Sequence, residues 1–339
     1  MPPITLKEIA KRSEVSFQAV SAVLNNRTGS RVSSTTRERI IRIARESGYQ
    51  PHFGYQLMRG KNPTTVALLV SVNYIRITEY TRDLMLSLME GFNDAGYATY
   101  AHTFGPDPKA NLAKVRELTN RGVSHFVFLG SPLGHMEILA EIEASGLRYI
   151  STSPNFPRHV TKLKNPGRIE LLREFRRRFG DGFKLMCQEH EGRPEPGSYL
   201  ADDLVAVFPE WTRAECCDRL LHLIPAIDYN RPTMEMELFE TGAAEAAVMR
   251  ERYPDARAFV FMNDYFALGA ARALHERGVA IGRDLSLAGH DNILAVQTSI
   301  LPISTVAFDL PLLRELLMEH VFTDGECRRA LPSRAILKL

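Results

Sequence analysis

The chain has 339 residues, of which 45% are hydrophobic and 24% are charged. This balance is typical of folded globular domains and excludes a disordered chain, and the length predicts two or three folded units. No apolar run reaches the roughly 18 residues that a membrane span needs, and no apolar signal segment follows the first positive charges. We therefore expect a cytoplasmic protein without a membrane partner.

The formal net charge of +2 hides an uneven distribution along the chain. Residues 1–61 hold eleven Lys and Arg residues against four acidic residues, a net charge of +7. Subtracting these from the chain totals of 42 basic and 40 acidic residues leaves 31 and 36, a net charge of −5. A basic head on an acidic body indicates a polyanionic partner, although a solvated basic face gives the same count.

Cysteine spacing and catalytic motifs exclude several classes of site. The four cysteines lack C-x-x-C spacing and stand at no zinc-binding distance from a histidine cluster. The catalytic signatures G-x-S-x-G and H-E-x-x-H and the phosphate-binding P-loop do not occur in the sequence. We therefore expect no cofactor, no metal and no enzymatic activity.

Three short helices are predicted within the first 50 residues. Thr5 can cap the first, with Glu8 at the capping-box spacing, and Ser16 can cap the second. The third extends from about residue 35 to 47 and stops at Gly48. The residues expected to face inward are Leu6, Ile9, Ala10, Val20, Val23, Leu24, Ile40, Ile41 and Ala44. Two helices joined by a turn of three or four residues form a helix-turn-helix, whose second helix can enter a DNA major groove.

After Pro51, residues 52–58 can form a short helix before the breaker at residues 60–63. From Thr65 onwards, apolar runs alternate with amphipathic helices, which predicts parallel α/β architecture. Strands are expected at residues 66–70, 97–102, 125–129, 148–151, 183–187, 258–262 and 285–288. Helices are expected near residues 80–95, 109–121, 135–145, 169–179, 212–223, 242–252 and 265–278.

Specific motifs add to these patterns. In the head they are Thr5–Ala10, Val15–Ser16, Val20–Ser21, Leu24–Asn25, Val32–Ser33, Thr36–Arg37 and Gly48–Pro51, and in the body Met262–Ala270 and Gly289–Asn292. With them the sequence resembles the lactose-repressor (LacI/GalR) family over nearly its whole length, least between residues 155 and 235. Residues 327–334 resemble the final strand of the family core.

The resemblance implies an α/β protein with an N-terminal all-α helix-turn-helix head and a hinge helix. A periplasmic-binding-protein-like core of two parallel α/β subdomains, joined by three crossovers, would follow. The expected domains are the DNA-binding head at residues 1–50, the hinge at 51–62 and the effector-binding and dimerisation core at 63–339. Because no heptad tail follows the core strand, we expect a homodimer rather than a tetramer.

By resemblance, Phe17, Gln18 and Ala22 stand where the family reads bases of double-stranded operator DNA. Gln18 can pair with adenine and Phe17 can contact a thymine methyl group, unless Gln18 is simply a solvated helix residue. Ala22 replaces a polar reader, so no guanine contact can come from it. Further DNA contacts, mainly to phosphates, are expected at Thr5, Leu6, Ser16, Ser21, Asn25, Ser33, Thr36 and Arg37. Any Ser or Thr of this set is as easily a helix cap.

The hinge is expected to be a second DNA reader. In the family an apolar side chain of the hinge wedges into the minor groove, and this position falls on Met58, with Leu57 beside it. Gly54 lowers the helix propensity of the segment by about 1 kcal/mol. Such a hinge would be helical only when two copies pair on DNA.

By resemblance, the effector cleft is expected to use Ser71, Arg213, Asn263 and Asp291. Planar amides, carboxylates and Arg are residue types that hold sugar hydroxyls in fixed geometry. For Asp264, capping of the following helix is favoured over ligand contact. The basic stretch at residues 155–168 is interpreted as a solvated loop, with contact to an anionic ligand as the alternative. Trp211, the single tryptophan, either stacks on a sugar or belongs to the core.

These observations predict a transcriptional regulator, in the role of a repressor, that a small sugar-like effector controls. The alternatives are an architectural or ligand-independent DNA-binding protein and a sugar-binding protein. Operator binding measured with and without a panel of sugars distinguishes them.

Overall fold

The structure is a computed structural model that describes residues 4–24, 32–47, 49, 65–71, 79–162, 166–188, 198–227 and 234–339. The chain divides into two compact units, an N-terminal unit of residues 1–63 and a core unit of residues 64–339. Each unit has its own apolar core. None of the helices within the described ranges combines the length and the apolar character that crossing a bilayer requires.

In the described part of the N-terminal unit, the structure has three helices, as predicted. They are α1 (Leu6–Arg12), α2 (Phe17–Leu24) and α3 (Ser34–Glu46). The hydroxyl groups of Thr5, Ser16 and Ser33 each accept the backbone N–H three residues further on, at 3.2–3.3 Å. These caps satisfy donors that a helix cannot satisfy itself and so determine where each helix begins.

The three helices enclose a small apolar core. Its buried members are Ile9, Ala10, Val20, Val23, Ile40 and Ala44. The prediction that Ile41 faces inward is wrong, because its side chain is 47% exposed. A step of one residue turns a helix by about 100°, so Ile40 and Ile41 cannot both face the core. Ile43 packs against the core instead.

The core unit alternates strands and helices. Its first elements are β1 (Thr65–Ser71), α4 (Glu79–Asp94), β2 (Ala98–Phe104), α5 (Pro108–Asn120), β3 (His125–Leu129), α6 (His135–Ala144), β4 (Arg148–Ser151), β5 (His159–Thr161), α7 (Pro166–Phe179), β6 (Phe183–Gln188) and α8 (Ser198–Val207). They are followed by α9 (Arg213–Leu220), β7 (Leu221–Ile224), α10 (Met234–Arg252), β8 (Ala258–Val260), α11 (Asp264–Glu276), β9 (Ser286–Ala288), α12 (Leu294–Gln297), β10 (Ile303–Phe308), α13 (Leu310–Phe322), β11 (Arg328–Ala330) and β12 (Ser333–Ile336).

These elements form two halves, each built on a sheet of six strands within the described ranges. The strand orders are β11-β5-β4-β3-β1-β2 in the first half and β12-β10-β9-β8-β6-β7 in the second. The strands pair in parallel, apart from the antiparallel pair β10 and β12. Both faces of β1 are buried, since alternate residues belong to different apolar clusters.

The chain passes between the halves three times. It leaves the first sheet after β5, returns from β10 to α13, which packs in the first half, and leaves again between β11 and β12. Two sheets joined in this way match the two-subdomain architecture that the resemblance implied.

Two predicted elements are wrong. Residues 221–224 form strand β7, not the end of a helix predicted near 212–223, and Leu221 pairs with Leu185 of β6. A short apolar run fits a strand and a buried helix equally well, so periodicity alone does not separate them. The single strand expected at residues 327–334 is split into β11 and β12, which belong to different sheets. Helices α8 and α13 and strand β10 were not predicted.

Two glycines allow α10 and α11 to cross closely. A Cβ atom on Gly242 would collide with the carbonyl oxygen of Phe266, and one on Gly269 would collide with the carbonyl oxygen of Phe239. The helices therefore approach through their backbones, a distance that only glycine permits.

Candidate DNA-binding surface and effector cleft

The first turn of α2 presents an aromatic ring and an amide to solvent. Phe17 is 43% exposed, and Gln18 beside it is also exposed. Val20 and Val23, on the side of the helix that faces away from Gln18, are buried in the core of the unit. The inner face thus anchors the helix, while the outer face carries side chains that can meet base edges in a major groove.

The beginnings of α2 and α3 offer backbone N–H groups close to hydroxyl groups. Ser16 caps α2 and Ser33 caps α3, and both are exposed. Ser33 also donates a hydrogen bond to Oγ1 of Thr36, at 2.8 Å. Arg39 and Arg42 are exposed on α3. Helix N-termini with basic side chains nearby favour phosphate oxygens.

In the core unit, the two halves meet at the carboxyl ends of their strands, around the carboxylate of Asp291. Lys162, which follows β5, places its Nζ atom 3.1 Å from Oδ1 of Asp291. The same ammonium group lies 4.2 Å from the ring centroid of Tyr80 and 5.2 Å from that of Phe308. Nδ1 of His290 is 3.2 Å from Oδ1 of Asp291. The Asp291 side chain is only 5% exposed. Side chains from both halves therefore surround one buried carboxylate.

Burial and neighbouring charges act on Asp291 in opposite directions. Burial alone would raise the pKa of Asp291, but Lys162 and His290 outweigh it and hold that pKa below its ordinary value. Burial lowers the pKa of His290, and Asp291 counters this effect only in part. At neutral pH the pocket therefore holds an ionised carboxylate beside an ammonium group and a neutral imidazole.

Asn263 and Asp264 stand where β8 leads into α11. Oδ1 of Asn263 accepts the N–H of Phe266 at 3.1 Å, so Asn263 caps α11. Asp264, which was expected to be the cap, instead accepts the hydroxyl of Thr305 at 2.7 Å and the N–H of Ile293 at 2.9 Å. Its carboxylate therefore links the beginning of α11 to strand β10 and to the backbone just before α12, and the prediction of a capping role is wrong.

Asp264 also lies against the segment that carries Asp291. Its N–H donates to the carbonyl of His290 at 3.0 Å, and a Cβ on Gly289 would collide with its carboxylate. Burial raises the pKa of Asp264 to about 7, and the negative charge of Asp291 acts in the same direction. The hydrogen bonds from Thr305 and the backbone oppose this rise without cancelling it.

Comparison with known proteins shows the family. The model of bacterial regulatory proteins of the lacI family matches residues 5–52, and the model of a periplasmic binding protein-like domain matches residues 173–323. The chain belongs to the lacI family of bacterial regulatory proteins.

Similar curated proteins cover most of this LacI-family chain. It is 23% identical to the transcriptional regulator DegA of Bacillus subtilis, over 96% of the chain and 91% of the relative. It is 29% identical to the regulator TreR of Escherichia coli, over 81% of the chain and 80% of the relative. It is 24% identical to the lactose operon repressor of Escherichia coli, over 95% and 84%. The chain is a helix-turn-helix transcriptional regulator.

Solved structures show the same fold. A lac repressor dimer bound to operator and the anti-inducer ONPF has a TM-score of 0.75 and 19% identity, covering 99% of this chain and 98% of the other. The complex of the transcriptional regulator CelR with cellobiose has a TM-score of 0.62 and 18% identity, covering 99% of both chains.

Several predicted DNA contacts of this LacI-family regulator are partly or fully buried. Leu6 packs against the core of the N-terminal unit, and Ser21 is 5% exposed. Arg37 is partly buried on α3 and already has an interaction partner. The buried position of Ser21 leaves it little surface for a phosphate. Asn25, Leu57 and Met58 lie outside the described residues.

The predicted effector residues are only partly brought together. Asn263 and Asp291 lie on adjacent segments, because the N–H of Asp264 donates to the carbonyl of His290. Ser71 is buried at the carboxyl end of β1. Arg213 begins α9 and forms an ion pair with Asp202 on α8. Nothing in the sequence pattern indicated this use of Arg213.

The interpretation of residues 155–168 as a solvated loop is wrong for two of its basic side chains. The Lys162 side chain is 17% exposed and forms the ion pair with Asp291. Nε of Arg168 donates to Oδ2 of Asp203 at 2.5 Å, and both side chains are at most 10% exposed. Burial raises the pKa of Asp203 despite the charge of Arg168. The signal in the sequence was the unusual density of basic residues between residues 155 and 168.

Room for a ligand in this arrangement is limited. The cavity beside Arg168, Met262 and His290 measures about 30 Å³ among the described residues, far below the ~300–1,000 Å³ of a typical small-ligand pocket. Trp211 stacks on Phe208 at 4.4 Å between ring centroids and lies under the guanidinium of Arg219. Its ring is therefore used in packing, which supports the core interpretation of the two that were left open.

Proposed function

We propose that this regulator is a repressor that binds operator DNA as a homodimer and responds to a small polyhydroxylated effector. Three features support the proposal: membership of the lacI family, a helix-turn-helix unit and a cleft between two α/β halves. One similar structure is a complex with cellobiose, and another is a dimer bound to operator DNA. The protein would act in the cytoplasm, with its head at residues 1–50, its hinge at 51–62 and its core at 63–339.

The exposed first turn of α2 is the observation that carries the DNA-binding part. The amide of Gln18 would pair with an adenine, and the ring of Phe17 would contact a thymine methyl group. Ala22 is partly buried and offers no hydrogen bond to a base. Discrimination therefore depends on a small number of side chains, and on Leu57 or Met58 as wedges in the minor groove. Ser16, Ser33, Thr36 and Arg37 would position the head on phosphates.

The pocket around Asp291 is the observation that carries the effector part. A hydroxyl group both donates and accepts, so a polyol can insert between the ammonium of Lys162 and the carboxylate of Asp291. Asn263 is close enough along the backbone to share the same ligand, and Ser71 would approach it from the carboxyl end of β1 in the first sheet. Arg213 would join the ligand only if its ion pair with Asp202 opened.

A ligand that binds one arrangement of the two halves better than another shifts the population of arrangements. This shift would change the separation of the two hinges in the dimer and therefore the pairing of hinge helices on DNA. Deleting residues 51–61 should therefore abolish specific binding to operator DNA. Specific operator binding that survives the deletion would contradict this mechanism.

Base reading is tested with operators selected from genomic fragments by the intact chain at fixed salt. Gln18→Ala should reduce the discrimination between the selected operator and a variant at one A·T pair by about 5- to 150-fold. Arg37→Ala is the contrasting variant, since loss of a phosphate contact should weaken all sequences about equally. Unchanged discrimination in Gln18→Ala would show that Gln18 is a solvated helix residue.

Effector binding is tested by thermal unfolding of the full chain with a panel of sugars, followed by operator binding with each stabilising sugar. A bound ligand at 100 times its Kd should stabilise by about 2.7 kcal/mol. Asp291→Asn should abolish the shift, whereas Asp94→Asn on the exposed end of α4 should leave it intact. If no sugar changes operator affinity, the effector part of the proposal is wrong while the DNA-binding part stands.

A further inference from the structure

The ammonium group of Lys162 lies in a cage made by three other residues. Asp291 supplies a carboxylate oxygen at 3.1 Å, Tyr80 a ring at 4.2 Å and Phe308 a ring at 5.2 Å. A carboxylate combined with aromatic faces is the arrangement with which proteins recognise organic cations. We use "ammonium cage" for Asp291, Tyr80 and Phe308.

The backbone holds the acidic member of the ammonium cage in place. Asp291 has a φ of 107° and Asn292 a φ of 54°, both in the left-handed region that residues other than glycine rarely adopt. The N–H of Asp291 bonds the carbonyl of Val306 at 3.1 Å, and the N–H of Asn292 bonds the hydroxyl of Thr305 at 3.1 Å. Strained backbone that its surroundings hold in place is a feature of ligand sites.

The members of the cage come from both halves of the core unit. Tyr80 belongs to α4 and Lys162 follows β5, both in the first half, whereas Asp291 and Phe308 belong to the second. Among the described residues, two further polar contacts between side chains join the halves: the Tyr265 hydroxyl donates to Glu79 at 3.3 Å, and Arg82 pairs with Glu235. Both partners of the second contact are at least 30% exposed, so it is worth little. Of the ion pairs Lys162–Asp291 and Arg82–Glu235, the pair formed by Lys162 is therefore the buried one.

We propose that the ammonium cage is a binding site for a primary ammonium group which the chain fills with its own Lys162. Lys162 thus acts as a tethered ligand that holds the two halves together when no effector is bound. An effector that uses Asp291 must displace Lys162 or insert beside it. The free energy with which any effector binds at Asp291 must therefore outweigh the free energy of the Lys162 contact that it disturbs.

The experiment replaces the tether by a soluble cation in the full chain. Lys162→Ala removes three methylene groups and the ammonium group, which n-propylammonium restores. Loss of one partner of a buried ion pair should lower the Tm of the core by about 5 °C or more. n-Propylammonium at tens of millimolar should recover most of this loss with a saturable dependence, and n-propanol, of the same size but uncharged, should not.

Lys184→Ala is the matched control. The Lys184 ammonium also lies over an aromatic ring, 5.0 Å from the centroid of Tyr253, but it donates to the carbonyl of Arg219 rather than to a carboxylate. n-Propylammonium should therefore not stabilise Lys184→Ala beyond its effect on the wild-type chain. Equal recovery of both variants would overturn the proposal, because it would show a general effect of the salt.

The link between the cage and the two halves is measured by small-angle X-ray scattering. Lys162→Ala should increase the radius of gyration, and n-propylammonium should reverse the increase. If Lys162→Ala does not fold, Lys162→Met preserves the packing of the apolar part of the side chain and removes the ammonium group. The double variant Lys162→Met with Asp291→Asn should then be more stable than Lys162→Met alone. An equally stable or less stable double variant would show that the ammonium group contributes nothing specific to Asp291.

Discussion

Asp264 gives the core unit a predictable dependence on pH. Its side chain is fully buried and accepts hydrogen bonds from Thr305 and Ile293, yet burial raises its pKa to about 7. Asp264→Asn keeps the shape of the side chain and removes the titration. The amide oxygen can still accept from Ile293 while the amide nitrogen donates to the Thr305 hydroxyl, so the variant should fold.

The magnitude follows from the difference between the folded and unfolded pKa. The pKa of Asp264 is about 7 against an ordinary value of 3.8, a difference of roughly 3 units, or about 4 kcal/mol. Because the folded pKa is the higher one, the folded core retains a proton that the unfolded chain releases above pH about 4. The contribution of Asp264 to stability is therefore fully present below pH about 4 and lost as the pH rises through about 7.

The assay is urea unfolding of the full chain between pH 4.5 and 8, followed by the fluorescence of Trp211, which lies in the core unit. The free energy of unfolding of Asp264→Asn, relative to the wild type, should increase by up to about 4 kcal/mol across this interval. His290 acts in the opposite sense: its pKa is lowered, so its contribution is present above its ordinary value and lost as the pH falls. Since His290 is present in both chains, the difference between them isolates Asp264.

A parallel pH dependence of the two chains would refute the reasoning, because it would mean that Asp264 is ionised throughout the interval. Asp94→Asn, on an exposed position of α4, controls for the loss of one negative charge. Asp264→Asn could be less stable than the wild type at every pH while the difference in their free energies of unfolding still changes with pH. This result supports the raised pKa, and the constant part of the difference is the destabilisation that the amide itself causes. The two results are distinguishable in one data set.

Three further predictions concern stability. Gly269→Ala should destabilise the core by more than about 3 kcal/mol in urea unfolding, because its Cβ would collide with the backbone of the facing helix. Gly105→Ala should be nearly neutral, because there the Cβ meets open space. Glu14→Gly should stabilise the N-terminal unit by about 1 kcal/mol, because Glu14 has a φ of 52° in the turn between α1 and α2, a conformation that glycine adopts without the steric cost of a Cβ. Slower amide hydrogen exchange in both helices measures the gain. Asp203→Ala should lower the stability of the core by about 3–5 kcal/mol by leaving Arg168 buried without its carboxylate, and a loss below about 1 kcal/mol would contradict a buried ion pair.

Local chemistry in the sequence is enough to predict the N-terminal unit and the class of the core. Thr5, Ser16 and Ser33 each carry a hydroxyl where a helix leaves N–H groups without partners, and the structure uses all three as caps. Alternating apolar runs and amphipathic helices likewise determine parallel sheets, because both faces of such sheets are buried. Of the predicted base readers, Gln18 is exposed for the same kind of local reason, since the helical period directs it away from Val20 and Val23. Phe17 lies three residues before Val20, so the period does not account for its exposure.

Tertiary structure decided what the local pattern leaves open. Ile41 is as apolar as Ile40, and only the packing of three helices determines which of them is buried. The run at residues 221–224 is a strand because β6 offers it a parallel edge, which no local period encodes.

The pocket is the clearest case of a feature decided by the tertiary structure. Lys162 and Asp291 are separated by 129 positions in the sequence and by a passage of the chain between the two halves. The strand alternation predicts that Asp291 follows a strand, but strand β5 before Lys162 was not predicted. The alternation also contains no information on which strand ends meet across the cleft. The sequence by itself determined that this chain has a DNA-reading head and a two-halved α/β core. The tertiary structure decided that a basic residue assigned to a solvated loop closes the pocket, because ion pairing between buried groups depends on distance in space and not on distance along the chain.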